Sequence, residues 1–242
     1  MKNMFSLKGK VAVVTGGYGL IGTQLVKGLS EFGATVYIAD IHEIPMMDIS
    51  DIDSIKNFIK YILSKEKKID VWINCAFPRT EDWSTKFEDV KEESLKKNID
   101  MHLNGYILCC QEIVKQMKKQ KNGVIINFGS IYGVVGPDFS VYDGTDMTMP
   151  MAYSAIKGGI VNFTRYLATY CAKYGIRVNC VCPGGILDKQ PKSFVDRYSK
   201  RTPIGRMGNP EEIVGPIIFL ASDASSYVTG HILMVDGGLT AW

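Results

Sequence analysis

The feature that most constrains the fold is a regular alternation of short β-rich runs with longer helical patterns. Six runs rich in Val and Ile predict strands, at residues 10–15, 35–40, 70–76, 123–129, 176–182 and 231–237. Helical patterns lie between them, at 19–32, about 51–65, about 88–119, 152–174 and 210–222. Strands with so little polar alternation are buried on both faces, which is typical of a parallel sheet with helical crossovers. The alternation therefore predicts one doubly wound α/β domain over residues 1–242.

Composition and charge limit the possible partners. Hydrophobic residues make up 46% and charged residues 22% of the 242-residue chain, and the net charge is +3. So small a charge argues against a nucleic-acid groove. No run approaches the roughly 18 apolar residues of a membrane helix, and the N-terminus lacks the apolar core of a signal peptide. We therefore expect a cytoplasmic protein with a small-molecule substrate and with no nucleic-acid or membrane partner.

The six cysteines show no metal-ligand spacing. They have apolar neighbours and form no paired CxxC motif; they are Cys75, Cys109, Cys110, Cys171, Cys180 and Cys182. We interpret them as buried thiols and predict no metal site.

The connection after the second predicted strand is too short for a complete crossover between parallel strands. Only seven residues, 41–47, separate Asp40 at the end of the second predicted strand from Asp48. A crossover between parallel strands needs a dozen or more residues. The spacing predicts that a helix and most of a strand are missing here or reduced to a stub.

The stretch TGGYGLIG, residues 15–22, follows the first predicted strand and opens a helix. Its glycines allow the backbone to approach a pyrophosphate, and the helix N-terminus then offers amide donors. Asp40 ends the next strand, eighteen residues after Gly22. A carboxylate there accepts hydrogen bonds from an adenosine ribose and repels a 2′-phosphate. No Arg or Lys follows directly, so the pattern predicts a site for NAD in preference to NADP, with a strand-end turn as the alternative role of Asp40.

Tyr153 and Lys157 are four residues apart in a predicted helix and therefore share one face. A phenol titrates at about pH 10, and a neighbouring ammonium together with the positive nicotinamide of NAD+ favours the phenolate and brings its pKa toward the working pH. The pairing predicts that Tyr153 is an acid–base residue. Tyr142 has an aspartate four residues on, and Tyr132 follows Ser130 too closely to converge on the same oxygen.

Seven segments together resemble the short-chain dehydrogenase/reductase family, compact branch, along nearly the whole chain. They are TGGYGLIG, DVWINCA, INFGS, YSAIKGG, IRVNCVCPGGI, PIGRMGNPEEI and SSYVTGHILMVDGG. The resemblance implies a Rossmann-type sheet of seven parallel strands in the order 3-2-1-4-5-6-7, and NAD(P)-dependent hydride transfer at a carbinol or carbonyl carbon. It also implies a homotetramer or homodimer with helices 88–119 and 152–174 at a dimer contact. Residues 130–159 are similar to the bacterial surface-glycan and flagellin-modification oxidoreductases.

The resemblance also implies roles at matching positions. It makes Tyr153 the general acid/base, Lys157 the residue that binds the nicotinamide ribose and tunes the tyrosine, and Ser130 the hydroxyl that orients the substrate oxygen. Asn179 is interpreted as a residue that braces a strand. Cofactor contacts are expected from the glycine loop, the strand ends and the loops after them: Gly16, Tyr18, Gly19, Leu20, Ile21, Gly22, Asp40, Asp48, Ile49, Asn74, Cys75, Ala76, Tyr153, Lys157, Pro183, Gly184, Gly185 and Ile186.

Four positions depart from the family pattern. His102 stands where the family has an asparagine that braces a water in the proton relay. We keep it as a candidate catalytic residue that retains this role through its main chain or titrates near pH ~6.5, with a packed helix histidine as the alternative. Phe77 replaces a glycine and is expected to wall a pocket, Asp188 replaces a threonine, and Leu20 shifts the glycine spacing toward that of the sugar-nucleotide epimerases.

Residues 187–201 are similar to the mobile substrate lid of the family. Basic residues give this segment a face suited to a phosphate or carboxylate, unless it is an ordinary solvated helix face; they are Lys192, Arg197, Lys200 and Arg201.

An inserted loop precedes the predicted catalytic helix. Ser130 and Tyr153 are 23 residues apart, which exceeds the usual family gap and places the insertion at about 131–150. Polar groups on a loop beside a catalytic hydroxyl are expected to touch substrate, and the acids here are Asp138, Asp143 and Asp146.

These patterns favour an NAD-dependent oxidoreductase that acts on a sugar or sugar-phosphate of amino-sugar or nonulosonate biosynthesis. Two alternatives remain open. His102, Phe77 and the shortened adenine side suggest a catalytically weak cofactor-sensing or scaffold protein. The glycine spacing suggests an epimerase or dehydratase that uses NAD transiently.

Overall fold

Six parallel strands form one sheet in the computed structural model, which describes residues 3–42 and 44–242. The strands are β1 (Val11–Thr15), β2 (Thr35–Ala39), β3 (Val71–Asn74), β4 (Gly123–Phe128), β5 (Ile176–Pro183) and β6 (Ile232–Val235). Their order is β2-β1-β3-β4-β5-β6, and each neighbouring pair is parallel. Every residue of β1, β3 and β4 is buried, which explains why these runs are almost entirely apolar.

The described residues contain six strands rather than the seven that the resemblance implies. The observed order equals the implied order once its third strand is removed, and that strand would lie between Ala39 and Ile52. There the N–H of Met47 donates to the carbonyl of Asp40 at 3.0 Å, so the chain turns back at once. So short a segment cannot hold both a strand and a crossover. The prediction of a shortened segment after the second strand is confirmed, and the count of seven strands is corrected.

Seven α-helices connect the strands of the described chain. They are α1 (Leu20–Glu31), α2 (Ile52–Glu66), α3 (Glu92–Ile99), α4 (Gly105–Gln120), α5 (Met151–Cys171), α6 (Lys192–Arg201) and α7 (Val214–Ala221). Short 3₁₀ turns lie at Phe87–Asp89, Ile131–Gly133, Phe139–Tyr142, Ala172–Tyr174, Pro210–Ile213, Asp223–Ser225 and Leu239–Ala241. The helix predicted over about 88–119 is in fact interrupted, because a π-helical turn, Asp100–Asn104, joins α3 to α4.

Local sequence explains where the helices beside the sheet begin. The side chain of Asp51 accepts a hydrogen bond from the N–H of Asp53 at 2.9 Å and caps α2. Pro150 precedes α5, and its fixed φ is compatible with the start of a helix. In the connection to α7, Asn209 and Glu212 form a capping box.

Two hydrophobic clusters stabilise the part of the chain that the structure describes. The main core lies between the sheet and its helices, and α1 packs against α7, α2 against α4 and α3 against α5. A separate cluster, here called the roof cluster, joins the inserted loop to α6; its buried members are Ile131, Val141, Tyr142, Phe194, Tyr198 and Met207. Five of the six thiols are buried and Cys75 is half-buried. Among the described residues, no helix has the length and apolar character needed to cross a bilayer.

Candidate active site

One cleft of about 1050 Å³ runs along the carboxyl ends of the strands. It lies where the strand order reverses between β1 and β3, the place at which doubly wound sheets open a crevice. All residues expected to contact the cofactor line this cleft, except Asn74. Ser130, Tyr153 and Lys157 line it as well, so the predicted cofactor and catalytic groups share one continuous space.

The glycine loop between β1 and α1 fits a dinucleotide. A Cβ on Gly16 would lie 2.6 Å from the Cα of Ala76, and a Cβ on Gly22 would lie 2.1 Å from the carbonyl oxygen of Gly16. Only glycine permits this close packing of the backbone beside the cleft. Gly19 caps α1 without a side-chain hydrogen bond, and the first turn holds no acidic residue. The backbone N–H groups in the first turn of α1 are therefore available to an anion, as the sequence predicts.

Asp40 follows β2 directly and is only 9% exposed. Its carboxylate accepts hydrogen bonds from the backbone N–H groups of Tyr18 and His42, each at 3.2 Å. These bonds fix the carboxylate against the glycine loop, where a ribose can bind. No cation among the described residues forms a salt bridge with it.

Asn74 occupies a different place from the one expected. Its side chain is fully buried, and its amide donates to Asn127 Oδ1 at 2.9 Å and to Cys110 Sγ at 3.2 Å. Its Oδ1 accepts from the indole N–H of Trp72 at 2.8 Å. The polar atoms of Asn74 are thus used to tie β3 to β4 and α4, and the expectation of a cofactor contact from this side chain is corrected. Asn179 likewise braces a strand, through bonds to Val228 and His231.

Tyr153 and Ser130 converge in the cleft. Ser130 follows β4 and is 4% exposed, whereas Tyr153 lies in the first turn of α5. Burial raises the pKa of Tyr153, and a hydrogen bond with the Ser130 hydroxyl opposes this shift. The net pKa change is opposite to the one expected from the lysine alone, because loss of water disfavours the phenolate more strongly.

Lys157 lies behind Tyr153 on the same face of α5. Its Nζ donates to the carbonyl oxygen of Phe128 at 2.8 Å and lies 5.6 Å from the ring centre of Tyr153. Burial lowers its pKa from 10.5 to about 8. The ammonium is therefore held next to the phenol although the loss of water destabilises its charged form. Shifted pKa values of this kind are common at functional sites.

His102 lies within the π-helical turn, and its side chain does not line the cleft. It is fully buried, with Nε2 3.3 Å from Nζ of Lys157. Burial and the nearby ammonium hold the pKa of His102 well below its usual value. The expectation that it titrates near neutrality is therefore corrected: its ring is neutral, and it contacts the lysine rather than a ligand. Its Nδ1 has no partner among the described residues.

An aromatic wall, formed by Phe77 and Trp83, faces Tyr153. The ring centres of Phe77 and Trp83 lie 5.7 and 6.2 Å from that of Tyr153, all in edge-on geometry. The prediction that Phe77 walls a pocket agrees with this placement, whereas Trp83 and the neighbouring Arg79 were not singled out by sequence patterns. Both residues follow β3. Their position after the carboxyl end of a parallel strand is the sequence signal that could have identified them as residues of the cleft.

The inserted loop reaches the cleft through apolar and aromatic groups rather than through its acids. It contributes Tyr132, Tyr142, Met147, Thr148, Met149 and Pro150 to the lining. Asp138, Asp143 and Asp146 do not line the cleft. Asp138 caps a turn at Ser140 and pairs with Arg201 at 3.0 Å, so the expectation that these acids touch substrate is corrected.

The basic face of the lid is also turned away from the cleft. Arg197 donates to the carbonyl of Asp143, and Lys192 pairs with Asp196 on its own helix. The lid presents Phe194 and Tyr198 to the cleft instead. The expected phosphate or carboxylate site on α6 is therefore not formed, because these cations bind the inserted loop or face solvent.

Comparisons with known proteins agree with this geometry. A family model described as "Enoyl-(Acyl carrier protein) reductase" matches residues 20–240. The chain is 35% identical to "Post-translational flagellin modification protein A" of Campylobacter coli, covering 96% of this chain and 98% of that protein. A solved short-chain dehydrogenase from Leptospira borgpetersenii with bound NAD+ has a TM-score of 0.90 and 38% identity, covering 99% and 96% of the two chains.

A second solved structure carries the other nicotinamide cofactor. It is a gluconate 5-dehydrogenase from Burkholderia cenocepacia in complex with NADP and tartrate, with a TM-score of 0.89, 27% identity and coverage of 99% and 98%. Fold, site geometry and relatives thus agree over nearly the full length of the chain. The chain belongs to the short-chain dehydrogenase/reductase family, and it is an oxidoreductase that acts on a carbinol or carbonyl carbon with a nicotinamide cofactor.

Proposed function

We propose that this oxidoreductase transfers hydride between NAD and a carbinol or carbonyl carbon of a sugar or sugar-phosphate, within amino-sugar or nonulosonate biosynthesis for surface glycans or flagellin. The observation that carries the proposal is the convergence of Ser130 and Tyr153 in a cleft that also contains Asp40. The name of the Campylobacter coli relative, a post-translational flagellin modification protein, supports the glycan-related role.

The preference for NAD rests on Asp40. Its fixed carboxylate favours ribose hydroxyls and repels a 2′-phosphate. The glycine loop, Asp48 and Ile49 would hold the adenosine and pyrophosphate parts, and the loop Pro183–Ile186 would hold the carboxamide. When bound, nicotinamide supplies or accepts the hydride.

Tyr153 and Ser130 handle the proton and the orientation of the substrate. In the oxidative direction, the phenolate of Tyr153 takes the hydroxyl proton, while the Ser130 hydroxyl hydrogen-bonds to the same substrate oxygen. Two hydrogen bonds to one oxygen fix the carbinol carbon in place, so positioning contributes much of the rate enhancement.

Lys157 and His102 support the phenolate from behind. The ammonium of Lys157 favours the negative form of Tyr153. The neutral ring of His102 accepts a hydrogen bond from that ammonium through Nε2, which places the imidazole proton on Nδ1. His102 therefore acts as a positioning residue that holds Lys157.

The proposed function is tested by incubating purified protein with NAD and a panel of polyols, sugars and sugar phosphates. Growth of absorbance at the NADH band with a member of the panel is the expected result. Tight NADH binding without turnover of any polyol or carbonyl would instead identify a cofactor-sensing protein. Substrate change seen by NMR without net NADH would identify an epimerase or dehydratase.

We also propose that the chain assembles as a homotetramer or homodimer through α4 and α5. Tyr166 and Tyr170 on α5 are 63% and 44% exposed and stack on each other at 6.2 Å, which gives this helix an aromatic outer face. Sedimentation at micromolar concentration should give a dimer or tetramer; a monomer would contradict this assembly.

A further inference from the structure

We propose that the cleft contains an anion subsite at Arg79, where a carboxylate or phosphate of the substrate binds while its carbinol faces Tyr153. The inference rests on the proposed function and specifies the class of substrate. It assigns the recognition of negative charge to the segment after β3 instead of to the lid.

Among the charged residues that line the cleft, Arg79 is the cation suited to binding an anion of the substrate. Of the two cations in the lining, Lys157 is buried and already donates to Phe128 and His102. Arg79 is exposed, and its guanidinium forms no salt bridge with a carboxylate in the described part of the chain. The nearby carboxylate of Asp82 instead accepts from the hydroxyl of Ser94 at 2.7 Å.

The position of Arg79 relative to the reacting groups fits a substrate the size of one sugar acid. Its guanidinium lies 5.1 Å from the ring centre of Phe77, and that ring lies 5.7 Å from the ring of Tyr153. The guanidinium therefore cannot be farther from the Tyr153 ring than these two separations placed end to end. A guanidinium placed over an aromatic ring can still present its N–H groups to an anion in a bidentate hydrogen bond.

The segment that carries Arg79 is anchored on both sides. The hydroxyl of Tyr106 donates to the carbonyl of Ala76 at 3.0 Å. After Arg79, the N–H of Thr80 donates to Asn98 Oδ1 at 3.0 Å, and the amide of Asn98 donates back to the Thr80 hydroxyl at 2.8 Å. Asn98 is only 2% exposed, so the anchor is part of the packed structure. The backbone at Arg79 is therefore held in place before an anion binds, and only the side chain has to be ordered on binding.

The cations of the lid do not compete for this role. Arg197 and Arg201 bind the inserted loop through Asp143 and Asp138 and do not line the cleft. The aromatic wall beside Arg79 offers ring surfaces to the C–H groups of a polyol. The subsite therefore fits a polyhydroxy compound that carries one carboxylate or phosphate.

The test is isothermal titration of the NADH-loaded protein with D-gluconate, D-glucose 6-phosphate and the neutral polyol D-sorbitol. The wild-type protein should bind at least one of the anions more tightly than sorbitol, and the preferred anion tells a carboxylate site from a phosphate site. Arg79→Met should weaken binding of that anion tenfold or more, and Arg79→Lys, which keeps the charge but not the fork, should fall between. Lys192→Met removes a charge outside the cleft and should bind as wild type.

Equal affinity of the wild-type protein for sorbitol and both anions would overturn the subsite, as would unchanged anion affinity in Arg79→Met. If Arg79→Met fails to fold, Arg79→Gln carries the same expectation. Turnover with NAD separates the two proposals. Binding that depends on Arg79 without turnover of any panel member would leave the subsite standing and reject the proposed function. Turnover of anionic substrates that is insensitive to Arg79 would do the reverse.

Discussion

The Nζ of Lys157 lies 3.3 Å from Nε2 of His102, in a pair of buried side chains that are 55 residues apart in the chain. Because the pKa of His102 is held well below its usual value, the imidazole is neutral and accepts a hydrogen bond from the ammonium. The π-helical turn Asp100–Asn104 carries His102, and such turns occur often at functional sites. The contact makes His102 part of the support of Tyr153 without placing it in the cleft.

Replacement of His102 by Phe should shift the pH profile of turnover. The variant keeps a ring but removes an acceptor from Lys157, which destabilises the ammonium and lowers the lysine pKa below about 8. A hydrogen bond to a charged group contributes about 1.5–3 kcal/mol, so the alkaline limb of kcat/KM should fall by about one pH unit or more. His102→Asn should restore part of the shift. His231→Phe, at an exposed position, is the control. An unchanged alkaline limb of kcat/KM in His102→Phe would contradict the role of His102 as a residue that positions Lys157.

Neutralising Asp40 should relax the choice of cofactor. Asp40→Asn keeps most of the side-chain shape but removes the charge expected to repel a 2′-phosphate. We expect the ratio of NADPH to NADH affinity to rise by about tenfold, measured by fluorescence titration of both cofactors. Asp53→Asn on the exposed side of α2 should leave the ratio as it is. A wild-type protein that binds both cofactors equally would reject the assignment.

The buried ammonium of Lys157 should appear in the pH dependence of stability. Its pKa is about 8 in the folded protein and 10.5 as a free side chain, so the unfolded chain binds more protons between these values. The loss of stability caused by burying the ammonium is fully present below pH 8 and disappears as the pH rises to 10.5. Relative to Lys157→Met, the wild type should therefore gain about 3 kcal/mol of unfolding free energy between pH 7 and 10.5. Denaturant unfolding at both pH values measures this, and a constant difference between the two proteins would contradict the burial of the charge.

Loss of Phe194 should loosen the lid. Its ring is 5% exposed and lies 5.2 Å from the ring of Tyr142 in the inserted loop, so Phe194→Ala removes an apolar contact between the two segments. We expect a rise in KM for substrate of about tenfold, with faster trypsin cleavage after Lys200 and Arg201. Tyr227→Ala removes an exposed aromatic ring and serves as the control. Unchanged proteolysis in Phe194→Ala would show that the roof cluster does not hold the lid.

Sequence patterns were sufficient where local rules decide the structure. The six apolar runs became the six strands, and the runs of β1, β3 and β4 lack polar alternation because these strands are buried on both faces. The glycine loop took its expected place, because Gly16 and Gly22 pack where no side chain fits. Tyr153 and Lys157 share a helical face because they are one turn apart.

The features that sequence reasoning did not reach depend on contacts between distant segments. The cations of α6 were expected to face substrate, but Arg197 and Arg201 bind an inserted loop more than fifty residues earlier. Burial raises the pKa of Tyr153 and outweighs the opposing hydrogen bond with Ser130, an effect that the spacing between Tyr153 and Lys157 does not reveal. Asn74 was expected at the cofactor, but its amide bonds lie inside the sheet. No local pattern encodes these outcomes.

The most direct test of the central claim compares a tyrosine of the cleft with one at the surface. Tyr153→Phe removes the proposed acid–base hydroxyl, whereas Tyr227→Phe removes a hydroxyl from a fully exposed ring. Reduction of NAD is followed at the NADH band with the best substrate of the panel. Tyr153→Phe should lose about a hundredfold or more of kcat while it still binds NADH, and Tyr227→Phe should match wild type. Turnover at the wild-type rate in Tyr153→Phe would contradict the account.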